Sequence, residues 1–198
     1  MYNRSSDLIY VNNASLSKEI CRDIINIFES EDDKSPGEII SGVNVNVKDT
    51  TDFVITRGGS RWDEINALLS DELHRNVSTY IKNFRTSIDN PTYVLFNRSI
   101  LSAELMQVQK YKKGIGKYIM HHDFRCAWNQ SKLRQLTFIW YLNDVTEGGE
   151  TEFWSKRKIK PETGKLVIFP AHWTFPHAGK MPLSNDKYII TGWLYEHQ

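Results

Sequence analysis

The chain has 198 residues, 40% of them hydrophobic and 25% charged, with 25 Lys plus Arg balanced against 24 Asp plus Glu. That size and composition fit one soluble globular domain, residues 1–198, and the charge balance excludes the strong positive field of non-specific nucleic-acid binding. No run of about 18 apolar residues occurs, and the stretch from Met1 to Tyr10 is too polar for a signal peptide, so a cytoplasmic protein without membrane or nucleic-acid partners is expected. Cys21 and Cys126 are far apart and neither belongs to a Cys-x-x-Cys pair, which argues against a disulfide framework or a thiolate zinc site. A chain of this length buries about 70% of its unfolded surface and folds without metal, so any metal it binds serves chemistry.

In chain order, Ser15 stands as a candidate N-cap before Leu16, Ile20, Ile24, Ile27 and Phe28, whose spacing predicts a helix with one buried stripe. Glu29 to Gly37 is acidic, ends in Ser-Pro-Gly and predicts a turn or mobile loop. Gly42 to Ile55 alternates partly, through Val43, Val45, Val47, Phe53 and Ile55, and predicts short strands with polar breaks. Trp62, Ile65, Leu69, Leu73, Val77, Tyr80 and Phe84 recur at three- and four-residue steps and predict a second, longer helix.

From Ser99 onward the period changes to two, with strand-like runs over Leu101–Tyr111, Leu136–Asn143, Glu150–Trp154, Lys165–Phe169 and Lys187–Tyr195. The expected fold is therefore α+β, with residues 1–98 giving supporting helices and outer strands and residues 99–198 a β-sandwich or barrel.

The strongest local signal is His121-His122-Asp123, because His-x-Asp on an extended chain turns His121 and Asp123 to one face and His122 to the other. His177 supplies a second imidazole, and two histidines with one carboxylate make the facial triad of non-haem Fe(II) oxygenases. Read alone, His-x-Asp is more often polar residues near a turn. His74, His122, His172 and His197 have no partner pattern and receive no ligand role.

The surrounding pattern resembles the prolyl 4-hydroxylase branch of the Fe(II)- and 2-oxoglutarate-dependent dioxygenases over roughly the last hundred residues. Tyr111-Lys112-Lys113-Gly114-Ile115-Gly116-Lys117-Tyr118 followed by His121 resembles that family's Tyr, Gly-turn, Tyr, His-x-Asp run, with a turn one residue longer than in collagen-type members. Leu136 to Asn143 resembles its central strand ending in Tyr-Leu-Asn, and Glu147 to Phe153 its Gly-Gly-Glu-Thr hairpin. Lys187 follows His177 by ten residues and Trp193 follows Lys187 by six, at the family's intervals.

This resemblance implies a double-stranded β-helix (jelly-roll, cupin-like) and a hydroxylase that decarboxylates 2-oxoglutarate to succinate and CO2, with Fe(II), 2-oxoglutarate and dioxygen, and with ascorbate as an accessory. It implies His121, Asp123 and His177 as metal ligands and Lys187, Tyr111, Thr151 and Tyr141 as contacts of 2-oxoglutarate. Lys187 shares a strand face with Ile189, Thr191 and Trp193, and an inward cation wants an anion. Fe(II) with one carboxylate carries +1, the 2-oxoglutarate dianion brings the sum to −1, and Lys187 restores neutrality in a poorly solvated pocket.

Arg134 lies where family members often turn an arginine toward the substrate, while Tyr118, Trp140, Trp154 and Trp193 line the substrate channel or fill the core. The implied substrate is a prolyl residue in a peptide or protein, with a free amino acid as the alternative. Scarcity of cysteine speaks against a collagen-modifying secretory enzyme. The rival classes are a nucleic-acid demethylase, a non-catalytic metal-binding β-barrel and a zinc hydrolase, of which the last has no use for Lys187. Residues 29–61 are placed to cover the mouth of such a barrel.

Overall fold

The computed structural model describes residues 8–56, 61–86, 101–103, 105–125 and 132–197; Cys126 lies outside them. Two helices, α1 (Lys18–Ser30) and α2 (Arg61–Thr86), accompany fifteen strands among these residues. The first half contributes β1 (Tyr10–Asn12), β2 (Ser35–Pro36), β3 (Glu38–Ile39), β4 (Gly42–Val43), β5 (Lys48–Asp49) and β6 (Thr51–Val54). The second contributes β7 (Leu101–Ala103), β8 (Gln107–Tyr111), β9 (Lys117–His121), β10 (Lys132–Tyr141), β11 (Thr151–Phe153), β12 (Lys158–Ile159), β13 (Leu166–Pro170), β14 (His177–Gly179) and β15 (Lys187–His197).

The strands form a major sheet in the order β1-β13-β10-β15-β8-β6-β2, with β7 beside the far end of β15, and a minor sheet in the order β12-β11-β14-β9-β5; β3 and β4 make a separate hairpin. Antiparallel pairing throughout these sheets gives the double-stranded β-helix that the resemblance implied. No helix among the described residues is long and apolar enough to cross a membrane.

The apolar runs are continuous because the central strands are buried on both faces. On β10, Leu136, Phe138 and Trp140 turn outward to the helices, joining Phe28, Leu69 and Leu73. Ile139 and Tyr141 turn inward, where they meet Phe153, Phe169 and Ile189 between the sheets. Gly192 on β15 makes room for Phe138, whose ring would lie 2.6 Å from a Cβ placed there.

Two expectations change. The N-cap of α1 is Ser17, whose hydroxyl accepts from the Ile20 N–H at 3.3 Å. Ser15 is instead drawn into the helix–sheet junction, donating to Glu72 (2.8 Å) and accepting from the Trp140 indole (2.9 Å), a long-range pairing that capping propensity cannot reveal. Glu29 to Gly37 is also no free loop. Lys34 donates to the carbonyls of Phe28, Glu29 and Glu31 at the end of α1, and Ser35 and Pro36 pair with Asp52 and Thr51 at the sheet edge, where proline is tolerated.

Gly164 fastens α1 to the barrel. Its carbonyl accepts from Ser15 and Leu16, its φ is +82°, and an added Cβ would lie 2.1 Å from the Leu16 carbonyl oxygen. Gly114 has a similar φ of +71° with open space around it. Gly164→Ala therefore lowers the unfolding free energy by about 3 kcal/mol, against about 1 kcal/mol for Gly114→Ala, as read from urea unfolding curves.

Candidate metal centre and co-substrate pocket

The minor sheet brings the two imidazoles together, since His177 of β14 is the register partner of His121 at the end of β9. Asp123, two residues further, folds back so that its Oδ1 lies 3.7 Å from His121 Nε2 and its Oδ2 3.5 Å from His177 Nε2. One ligating atom from each residue falls within 4.8 Å of the others. Each histidine has its Nδ1 against a backbone carbonyl, Ile119 at 2.7 Å for His121 and Phe175 at 3.2 Å for His177. A carbonyl only accepts, so both Nδ1 atoms carry the proton and both Nε2 lone pairs face Asp123, the tautomer a metal requires.

Packing fixes the rings in turn. Tyr118 stacks on His121 with centroids 3.5 Å apart, and Phe169 meets His177 edge-on at 4.7 Å. Asp123 accepts from the Thr137 hydroxyl at 2.7 Å. Burial opposes its charge, but His177, His121, Thr137 and the Trp193 indole outweigh that and hold its pKa below the usual carboxylate range. The Trp193 indole nitrogen is itself buried with no partner inside hydrogen-bond limits, so its influence on Asp123 is that of a nearby dipole. Burial, and then His177, hold His121 well below the ordinary histidine pKa, so it is neutral at pH 7. Two imidazoles and one carboxylate on one face suit a divalent iron with open coordination positions.

The same cavity, about 410 Å³ in volume, carries a cationic pole. Lys187 is 1% exposed; its Nζ donates to the Gly149 carbonyl at 3.0 Å and lies 3.7 Å from the Tyr111 ring centre. Burial pushes its pKa down to about 7. Tyr111 and Thr151 line the cavity with it, whereas Tyr141 does not: its hydroxyl donates to Thr151 Oγ1 at 2.6 Å from behind the wall. Gly179 lets the Tyr111 ring approach, at 3.0 Å from where a Cβ would stand. Metal ligands and cation thus face one cavity, large enough for a small dicarboxylate with space left beside it.

The substrate-side residues divide. Tyr118, Arg134 and Trp193 line the cavity, with the Arg134 guanidinium 3.5 Å above the Trp193 ring and its Nε donating to the Tyr195 hydroxyl at 3.0 Å. Trp140 is in the helix-side core, and Trp154 is exposed, so neither lines the cavity. His122 also lines the cavity, though its side chain is exposed and no part of the metal cluster.

Sequence reasoning missed a polar cluster on the cavity wall. Lys48 and Asp52, both at least 95% buried, pair at 2.6 Å; Gln109 donates to the same Asp52 oxygen at 3.3 Å and accepts from Tyr111 at 3.3 Å. Its signal was the period-two run Lys48, Thr50, Asp52, three polar residues on one strand face.

Residues 106–195 match the sequence profile of the 2OG-Fe(II) oxygenase superfamily. The superfamily is thus recognised in the barrel part of the chain, a little under half of it. Its cofactors are Fe(II) and 2-oxoglutarate, and the donor set just described fits both. No curated protein sequence matches the chain significantly. Among solved structures, the chain is similar to a viral collagen prolyl hydroxylase from Paramecium bursaria Chlorella virus-1 in complex with 2OG, with TM-score 0.65 and 22% identity over 96% of each chain. It is similar to a Pseudomonas putida prolyl-4-hydroxylase, with TM-score 0.65 and 14% identity over 99% of this chain and 96% of that one. A Trichoplax adhaerens prolyl hydroxylase complexed with a hypoxia-inducible-factor peptide gives TM-score 0.71 and 22% identity, over 98% of this chain and 86% of that one. At these identities the likeness is one of fold.

The Lys187 pKa has a measurable sign. A folded pKa of about 7, against the ordinary 10.5, means that the unfolded chain takes up its proton first as pH falls. Stability is lost between pH 10.5 and 7 and the loss is constant below. Lys187→Met in metal- and 2-oxoglutarate-free protein therefore melts above wild type at pH 7, and the gap narrows as melts are repeated toward pH 10.

Proposed function

We propose that this oxygenase hydroxylates a prolyl residue in a peptide or protein, releasing succinate and CO2, with His121, Asp123 and His177 holding the iron. The observation that carries the reading is the coexistence, in one cavity, of a two-histidine, one-carboxylate cluster and a fully buried lysine. A zinc hydrolase gives that lysine nothing to bind.

When bound, Fe(II) with 2-oxoglutarate and dioxygen supplies the oxidising power to insert oxygen into a C–H bond. This chain's residues provide the rest. His121 and His177 offer Nε2, kept available because each Nδ1–H is spent on a carbonyl. Asp123 completes the face. Lys187 holds the distal carboxylate of 2-oxoglutarate, with Thr151 and Tyr111 as hydroxyl donors beside it and Tyr141 holding Thr151 in place. Phe169, Phe153 and Ile189 pack beside these groups and exclude water from the site. Arg134, held flat on Trp193, and Tyr118 face the space left for the substrate.

The choice of a prolyl substrate follows the solved relatives, one of which is complexed with a protein-derived peptide. The β3–β4 hairpin supports a macromolecular substrate: Glu38, Ile39 and Ile40 line the mouth, and Ile40 is 84% exposed, an apolar tip ready to close over a bound chain.

Anaerobic titration with Fe(II) and then 2-oxoglutarate, followed by the visible charge-transfer band, tests the centre. Wild type gives the band and His177→Ala does not. Lys187→Ala keeps iron but needs at least tenfold more 2-oxoglutarate, about 1.4 kcal/mol of lost binding. A wild type that binds iron without the band overturns the reading.

A further inference from the structure

The hydroxyl protons of the cavity wall are not all free. Thr151 accepts from Tyr141 at 2.6 Å, so its own proton is left for a ligand. Tyr111 is different. Its hydroxyl donates to Gln109 Oε1 at 3.3 Å, and a phenol has one proton to give. Tyr111 is 3% exposed and Gln109 4% exposed, and both line the cavity.

Strand geometry makes this contact, since Gln109 and Tyr111 are two apart on β8 and share a face. Register sets Tyr111 opposite Lys187 on β15 and Gln109 opposite Asp52 on β6, so one stands at the cationic pole and the other beside the Lys48–Asp52 pair. The amide of Gln109 has one usable orientation. Its Nε2 donates to Asp52 Oδ2 at 3.3 Å, where a carboxylate only accepts, so Oε1 is the atom turned to Tyr111. Lys48, at 2.6 Å on the same oxygen, keeps Asp52 in place. The acceptor that holds the Tyr111 proton is therefore itself anchored from behind.

The Tyr111 bond is also long. Neutral O–H···O bonds cluster at about 2.7–2.8 Å, whereas a carboxylate receives a shorter bond of roughly twice the strength. Turning the hydroxyl about the tyrosine C–O bond moves the proton to a new acceptor and leaves the ring where Gly179 and Lys187 flank it. We propose that Gln109 is a positioning residue for the co-substrate: it holds the Tyr111 hydroxyl while the pocket is empty and yields it when a carboxylate of 2-oxoglutarate enters. The inference rests on the reading of this cavity as a 2-oxoglutarate site and adds an internal competitor to it. Entry of 2-oxoglutarate breaks the contact, so Gln109 lowers co-substrate affinity and raises the concentration at which the site fills. The same contact spares the empty protein a buried hydroxyl without a partner.

The test is anaerobic titration of the full chain, loaded with Fe(II), by 2-oxoglutarate, read as half-saturation of the charge-transfer band and by calorimetry. Gln109→Leu removes the competing acceptor and tightens 2-oxoglutarate binding about fivefold, the opposite of what damage to the pocket does. In Tyr111→Phe protein, which has no proton to release, the same Gln109 substitution changes affinity by less than about twofold. Gln109→Met, which preserves the length of the side chain, gives the same pair of results and replaces the leucine variant if that one fails to fold. Gln109 variants that bind 2-oxoglutarate as wild type does, or more weakly, overturn the proposal, as does equal tightening in the presence and absence of the Tyr111 hydroxyl. Each of these outcomes leaves the hydroxylase reading standing, because the band is present. A wild type that binds iron and shows no band overturns that reading and this proposal with it.

Discussion

The two-faced burial of β10 and β15 governs the molecule. These neighbours pair over most of their length, from Leu136 opposite Leu194 to Tyr141 opposite Ile189. Because side chains alternate, one register decides two things at once. It sends Leu136, Phe138, Trp140, Ile190 and Leu194 to the helices, and Thr137, Ile139, Thr191 and Trp193 to the cavity side. A slip of one residue would exchange the two sets, placing Thr137 among the helices and Phe138 in the cavity. The helical layer therefore fixes the site from outside: α1 and α2 accept only the apolar set, and the polar set is left facing inward by exclusion. Trp140 enforces this with its indole hydrogen bond to Ser15, which ties the strand to the start of α1.

Apart from the paired Lys48 and Asp52, charge inside the barrel is concentrated at two poles of opposite sign. At one, Asp123 keeps its charge because two imidazoles and Thr137 surround it. At the other, Lys187 has one carbonyl and a tyrosine face, which do not compensate an ammonium, and its lowered pKa expresses that deficit. An anion placed between them would neutralise the lysine without displacing anything that holds the fold. The arrangement is preorganised in the sense that matters for catalysis, since the cost of burying the charges is met during folding and not at each turnover. The hydroxyls at this end are similarly prepared, Thr151 receiving from Tyr141 and Tyr111 directed at Gln109.

What could be read in advance follows from how local each signal is. His121, His177 and Lys187 sit in strands whose period-two pattern fixes their faces, and Asp123 lies two residues past the end of its strand, so their convergence was readable once the motif order was recognised. Both long helices were likewise visible in their apolar spacing. The N-cap was misplaced by two residues because Ser15 and Ser17 are equivalent as sequence, and only Glu72 and Trp140, brought in by the tertiary fold, recruit the first of them. The strand at Ser35–Pro36 was hidden because two residues have no period, and Lys34 holds it through carbonyls that have no side-chain signature. Lys48 and Asp52 lay in a segment that showed alternation, yet burial of a lysine runs against composition statistics, and the partner that makes it tolerable comes from the same strand run.

The inner and outer parts of the site are therefore under different constraints. Inside, ligand tautomer, carboxylate charge and the buried cation are set by chemistry that leaves little freedom. Outside, the β3–β4 hairpin and the loop from His172 to Pro176 are joined to that barrel by a few backbone hydrogen bonds and can vary without disturbing it. Exposed Ile40, Trp154 and Trp173 lie on those outer elements or beside them. The rim loops are thus free to differ while the strands beneath hold the metal ligands and the buried lysine in place.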